Sequence, residues 1–254
     1  MNVYLCLAVC CLPFVISFVC FRLFSEIRIS TEIAASLAGL LAVLPITFIQ
    51  FLISDVLFAG RLDSAAVLPL FGKAMLLNGL IEESVKMLFL LFVPRKKISF
   101  NSFFLASLLC GLCLGCFETS VYFLQHLQSA SDRGAELLYH LIFIRIFSSD
   151  VIHLLCTGLC GIFMWSCISK QPDISAFVFA VLSHGLFNFF AGFQSYIRWF
   201  SVVVILFLLI ETRIHYEKNK PAEPYKKDAA PSKTSRDVTV ESALKDAPEY
   251  MPEK

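Results

Sequence analysis

The sequence predicts an all-α fold, a polytopic transmembrane helix bundle of about seven spans followed by a disordered C-terminal tail. Two observations carry that expectation. Of 254 residues, 57% are apolar and only 16% charged, whereas soluble domains run nearer 45–50% apolar. The apolar residues also fall into stretches near the ~20 residues a helix needs to cross the hydrocarbon core. These are 3–21, 33–53, 67–93, 102–127, 137–168, 174–193 and 197–211, the last being the shortest.

The first stretch has no Lys or Arg before it, and at about 19 residues it exceeds the core of a cleaved signal, so it reads as a retained span. The connections after the first, third, fifth and seventh stretches hold Arg22, Arg28, Arg95, Lys96, Lys97, Lys170, Arg213, Lys218 and Lys220. The opposite connections hold mainly Arg61 and Arg133, with Lys73 and Arg198 near span ends. Basic residues collect on the cytoplasmic side, which predicts an outside N-terminus and a cytoplasmic C-terminus. From 212 onward Pro221, Pro224, Pro231, Pro248 and Pro252 lie among mixed charges, a composition that cannot bury enough apolar surface to fold alone. The expected division is thus a bundle over 1–211 and a polar cytoplasmic tail over 212–254.

A net charge of +1 gives no electrostatic basis for binding nucleic acid. No glycine-rich phosphate loop or internal repeat is visible, which disfavours a nucleotide-driven machine. The ten cysteines lie in apolar segments and read as small packing residues, not as a disulfide framework. Cys110, Cys113 and Cys116 repeat every third residue, but a helix fans that spacing around its surface and no fourth ligand follows.

Against this apolar background, polar groups stand away from the ends of four spans. The third carries Glu82, Glu83 and Lys86, and the fourth Glu118 and Tyr122. The fifth carries Arg145, Asp150 and His153, and the sixth His184 and Asn188. A charged side chain at bilayer depth costs roughly 2.5–3.5 kcal/mol even on insertion scales, so adjacent acids there point to function. Counted from the cytoplasmic flanks, Glu83 lies roughly 18 Å deep, His184 about 21 Å, and His153 and Glu118 about 25 Å. Helix tilt absorbs such differences, so the four spans aim their polar groups at one layer. Glu82 with Lys86, Glu118 with Tyr122, and His184 with Asn188 are i, i+4 pairs, each on a single helix face. A carboxylate there can take a proton from water while another group donates to a developing oxyanion. Arg145 with Asp150 or Ser149 reads as a supporting pair. His126 and His140 receive no role.

These motifs resemble the PrsW-type intramembrane proteases, within the wider group of type II CAAX prenyl endopeptidases and bacteriocin self-immunity proteins. The resemblance covers about 78–190, expected to be the catalytic core. It runs through Glu82-Glu83-Ser84-Val85-Lys86, Gly111 to Tyr122 by way of Phe117-Glu118, Arg145 to His153, and His184-Gly185-Leu186-Phe187-Asn188. Glu118 stands where prenyl endopeptidases have histidine, which favours the PrsW branch.

The resemblance implies peptide-bond hydrolysis within the membrane. Glu82 or Glu83 would act as base, Glu118 and His153 would assist, and His184 and Asn188 would stabilise charge on the carbonyl oxygen. Lys86, Tyr122, Arg145 and Asp150 would support them. Metal-free glutamate chemistry is favoured, with zinc on His153, His184 and Glu83 as the alternative. Members of this branch cut a single-span anti-sigma factor in stress signalling, so the implied partner is a membrane-anchored regulatory protein. The implied location is the inner membrane of a bacterium. An ion- or proton-coupled transporter and a non-catalytic membrane scaffold are the competing functions.

Overall fold

A computed structural model describes residues 2–57, 66–94, 98–133 and 136–221, with side chains omitted for 128–133. Arg61, Arg95, Lys96, Lys97, the side chain of Arg133 and the tail beyond 221 lie outside the described residues. All described elements are helical. Those of residues 1–220 form one compact unit.

Five helices are long and apolar enough to cross a membrane: Val3–Phe24, Ile29–Val56, Phe100–Leu127, Glu136–Ile168 and Ile174–Ala191. The expected third span is also helical across the bilayer-scale stretch, as α3 (Val67–Lys73), a π-helical segment (Ala74–Ile81) and α4 (Glu82–Leu90). Its Lys73, Glu82, Glu83 and Lys86 keep it from reading as purely apolar. The expected seventh span is α9 (Phe200–Asn219), entered through a 3₁₀ turn (Tyr196–Trp199). Exposed apolar side chains such as Leu44, Phe48, Phe92 and Ile210 cover the outer surface, as contact with lipid tails allows.

The remaining helices are α1 (Val3–Phe24), α2 (Ile29–Phe51, running on as a π segment, Leu52–Leu57), α5 (Phe100–Arg133), α6 (Glu136–Phe147), α7 (Ser149–Ile168) and α8 (Ile174–Ala191). α5 is the central rod, packed chiefly against α7 and α2. Its core with α7, α8 and α9 includes Phe103, Leu159, Ile162, Ala180 and Leu208. Trp165 closes one end of that core against the rings of Phe100 and Phe103. A second cluster joins α1, α5 and α6 through Cys6, Cys10, Phe123, Leu138 and Ile142. Six of the ten cysteines are buried and all ten are free thiols, consistent with packing roles.

Three local features differ from a simple reading of the sequence. The fifth span breaks at Ser148 (φ −126°, ψ −69°), whose hydroxyl donates back to the Ile144 carbonyl at 2.7 Å, a bond that bends helices. The third span loosens into a π segment over the eight residues before Glu82, a register that often marks functional sites. The last helix continues to Asn219, past the expected bundle boundary at 211/212, because Thr212 and His215 are buried. The Thr212 hydroxyl bonds the Leu208 carbonyl, and His215 Nδ1 meets Asp173 Oδ2 at 2.8 Å.

Candidate active site

The π segment seats the two adjacent glutamates by packing backbone to backbone on α8. A Cβ at Gly79 would lie 2.6 Å from the Val181 carbonyl oxygen, and one at Gly185 would lie 2.5 Å from Met75 Sδ. Small residues permit such close helix approach in membranes. Gln50 of α2 donates to the Leu77 carbonyl at 3.3 Å and pins the segment from the other side. Glu82 and Glu83 begin α4 at the end of this segment, both buried, with Lys86 on the same face.

Four helices then converge, as the layer of polar groups implied. His184 Nδ1 of α8 meets Glu83 Oε1 at 2.5 Å. His153 Nε2 of α7 meets Glu118 Oε2 of α5 at 2.6 Å. The two imidazoles stand edge to face with centroids 4.9 Å apart. A ring nitrogen that donates to a carboxylate leaves the opposite nitrogen with its lone pair, so His153 Nδ1 and His184 Nε2 are the acceptors facing inward. Between them lies Glu82 Oε1, 3.1 Å from His153 Nδ1 and 3.9 Å from His184 Nε2. Lys86 Nζ donates to Glu83 Oε1 at 2.6 Å, lies 3.0 Å from His153 Nδ1, and is 3.3 Å from Glu82 Oε1.

Around the cluster, Arg145 serves Glu118 more than Asp150. Its Nη2 lies 3.2 Å from Glu118 Oε2 and donates to Ser149 Oγ at 2.9 Å. Its guanidinium carbon sits 3.9 Å over the Tyr122 ring. Asp150 instead accepts from Thr119 Oγ1 at 2.7 Å, and Arg145 Nε reaches the same hydroxyl at 3.3 Å. The expected Arg145 pairing thus holds through Ser149, while the link to Asp150 runs through Thr119. Asn188 stands one turn beyond His184 and donates to the His184 carbonyl at 3.2 Å. The sequence reading missed Thr119 and Cys160, whose thiol lies 3.6 Å from Glu83 Oε2. The only available signal for Thr119 was its place beside Glu118.

Among the described residues, Glu82, His153 and His184 form a buried group whose ligand atoms lie within 4.8 Å of one another. Two observations fit a divalent cation there. Glu82 Oε1 is buried and makes no hydrogen bond, its charge being met only by the Lys86 ammonium at 3.3 Å, an arrangement in which a cation offsets the cost of desolvating the carboxylate. The donor set is two imidazoles and one carboxylate, a combination used by zinc hydrolases. Each imidazole is backed by its own carboxylate, the outer partner that fixes ring orientation in such sites. The expected metal set was His153, His184 and Glu83, whereas the group whose ligand atoms lie together contains Glu82 in the place of Glu83. Glu83 is taken up by Lys86 and the outer nitrogen of His184, and its neighbour Glu82 faces the two inner nitrogens.

Apolar spanning helices enclosing a buried carboxylate–imidazole cluster define the class: a multi-pass membrane protein whose helices carry a hydrolase-type site. The chain belongs to the PrsW family, since the model of the PrsW family intramembrane metalloproteases matches residues 29–211. It is therefore a membrane-embedded protease. The match contains the whole 78–190 region on which the resemblance rested. The family's description as metalloproteases, together with the Glu/His/His group, leaves the preference for metal-free chemistry without support. No curated protein and no solved structure matches the chain.

Proposed function

We propose that the protein is an intramembrane endopeptidase in which Glu82, His153 and His184 hold a divalent metal ion. The observation that carries the proposal is the paired arrangement of Glu83 behind His184 and Glu118 behind His153, with both inner nitrogens turned toward Glu82 Oε1. A bound metal supplies Lewis acidity to the scissile carbonyl and lowers the pKa of water. Glu83 holds the His184 ring in its tautomer. Glu118 does the same for His153, and Arg145 holds Glu118.

Glu118 is the most exposed acid of the cluster, its side chain 35% exposed, and so the one best placed to meet water. Both of its close contacts fall on Oε2, so Oε1 is available to take a proton from attacking water and return it to the leaving amine. Asn188, one turn along α8 and bonded to the His184 carbonyl at 3.2 Å, is read as the residue that helps stabilise charge on the substrate carbonyl, a role that rests on the family resemblance.

The substrate class is a membrane-anchored regulatory protein, and a single-span anti-sigma factor is the form that the family resemblance supports. The distribution of basic residues supports an outside N-terminus and a cytoplasmic C-terminus in the bacterial inner membrane.

The test is cleavage of single-span reporter proteins by the purified protein in vesicles. Glu82→Gln lowers kcat by at least ~100-fold, because it exchanges the anionic carboxylate ligand for a neutral amide. Glu83→Gln costs about 10–100-fold, the range of an outer carboxylate. Both variants accumulate to wild-type levels. Undiminished cleavage by the Glu82→Gln protein refutes the proposal.

A further inference from the structure

Lys86 does not fit the role of a simple partner for the glutamates. Its Nζ is fully buried and contacts three groups at once: Glu83 Oε1 at 2.6 Å, His153 Nδ1 at 3.0 Å and Glu82 Oε1 at 3.3 Å. Two of these atoms, His153 Nδ1 and Glu82 Oε1, are on residues of the candidate cation group. The third atom sits on the carboxylate behind His184. An imidazole nitrogen has one lone pair. It cannot accept a proton from an ammonium and bind a metal at once, so the lysine and a metal ion exclude each other at His153.

The geometry points to Lys86 as a tethered cation that fills the metal site in the metal-free protein and competes with the metal for His153 and Glu82. This inference rests on the metalloprotease reading above. Two consequences follow from charge and position. Without metal, the ammonium neutralises two adjacent buried carboxylates, which otherwise stay uncompensated at high cost. The metal-free bundle therefore folds, unlike small domains whose ligands assemble only around zinc. When metal enters, the four-carbon stem lets the ammonium leave His153 while keeping Glu83, which needs only a short retreat of a flexible side chain. Lys86 thus lowers metal affinity and makes the site exchangeable, a way for metal supply to control the protease.

The experiment compares the purified full-length wild type with Lys86→Met and Lys86→Gln. Cobalt(II) and zinc affinities are measured by competition with a chromophoric chelator, and thermal unfolding is followed with and without metal. The inference predicts that Lys86→Met binds either ion at least tenfold more tightly than the wild type. It also predicts that the metal-free variant melts at lower temperature and gains more from added metal than the wild type gains.

Equal or weaker binding by Lys86→Met, with normal wild-type binding, overturns the inference and leaves the metalloprotease reading standing. Absence of binding by wild type and variants alike overturns both. If neither variant survives purification without metal, recovery of folded protein on purification with zinc supports the inference, and failure to recover it counts against it.

Discussion

Asp173 shows how one side chain can fasten a helix to a bundle. It is buried in the turn between α7 and α8 and accepts from Ser175 Oγ at 2.7 Å and Asn219 Nδ2 at 2.7 Å. It also accepts from Lys218 Nζ at 3.0 Å and meets His215 Nδ1 at 2.8 Å. Burial pushes its pKa up, but the hydrogen bonds from Ser175, His215, Asn219 and Lys218 outweigh burial and hold the carboxyl well below the usual carboxylate range. A pKa depressed by folding adds stability that is complete above the unfolded carboxylate value near pH 4 and is lost as pH falls through the folded value. Asp173→Asn therefore lowers the melting temperature at pH 7. The gap between wild type and variant narrows as the pH is brought below about 4, which thermal unfolding in detergent measures directly. Beside the carboxylate–imidazole cluster, Arg145 plays a comparable part. It reaches Glu118, Thr119, Ser149 and the Tyr122 ring together, a set of contacts that suits a planar guanidinium and not an ammonium.

Between elements, the site depends on how closely the helix backbones approach. α5 and α7 touch where a Cβ on Gly111 would fall 2.2 Å from the His153 carbonyl oxygen and 2.6 Å from Thr157 Oγ1. Gly111→Ala must push α7 away, and His153 moves with it. Overpacking of this kind costs about 1–3 kcal/mol, sometimes more, so the variant melts lower and cleaves poorly. Gly72→Ala in α3 is the control, since a Cβ there meets nothing within 4 Å, and it leaves both properties unchanged. The π segment before Glu82 adds a further constraint. Its widened register, fixed by Gly79 against α8 and by Gln50 from α2, sets which of two successive glutamates faces the inner imidazole nitrogens and which lies behind His184. Successive helical residues point about 100° apart, so local sequence marks the pair but cannot choose between its members.

At the level of the whole molecule, the sequence carries the bundle because bilayer thickness imposes a length that apolar runs must match. It carries the shared polar layer because the cost of burying Glu82, Glu83, His153 and His184 makes each of them conspicuous. What it leaves out depends on tertiary contacts. The break at Ser148 turns on one hydroxyl bonding back to Ile144. The extension of α9 to Asn219 turns on Asp173, which is distant in sequence. The grouping of Glu82, and not Glu83, with the inner nitrogens of the two histidines turns on where Lys86 and His184 lie. Thr119, a residue common in any helix, gains a role only because Asp150 and Arg145 meet there.

Zinc X-ray absorption on the purified, metal-loaded protein tests the convergence of these helices most directly. The predicted spectrum has two imidazole nitrogens and carboxylate oxygen at about 2.0–2.2 Å, with one imidazole lost in His153→Ala and another in His184→Ala. A sulfur shell at about 2.3 Å, or a coordination sphere that neither histidine substitution alters, would contradict a Glu82–His153–His184 centre.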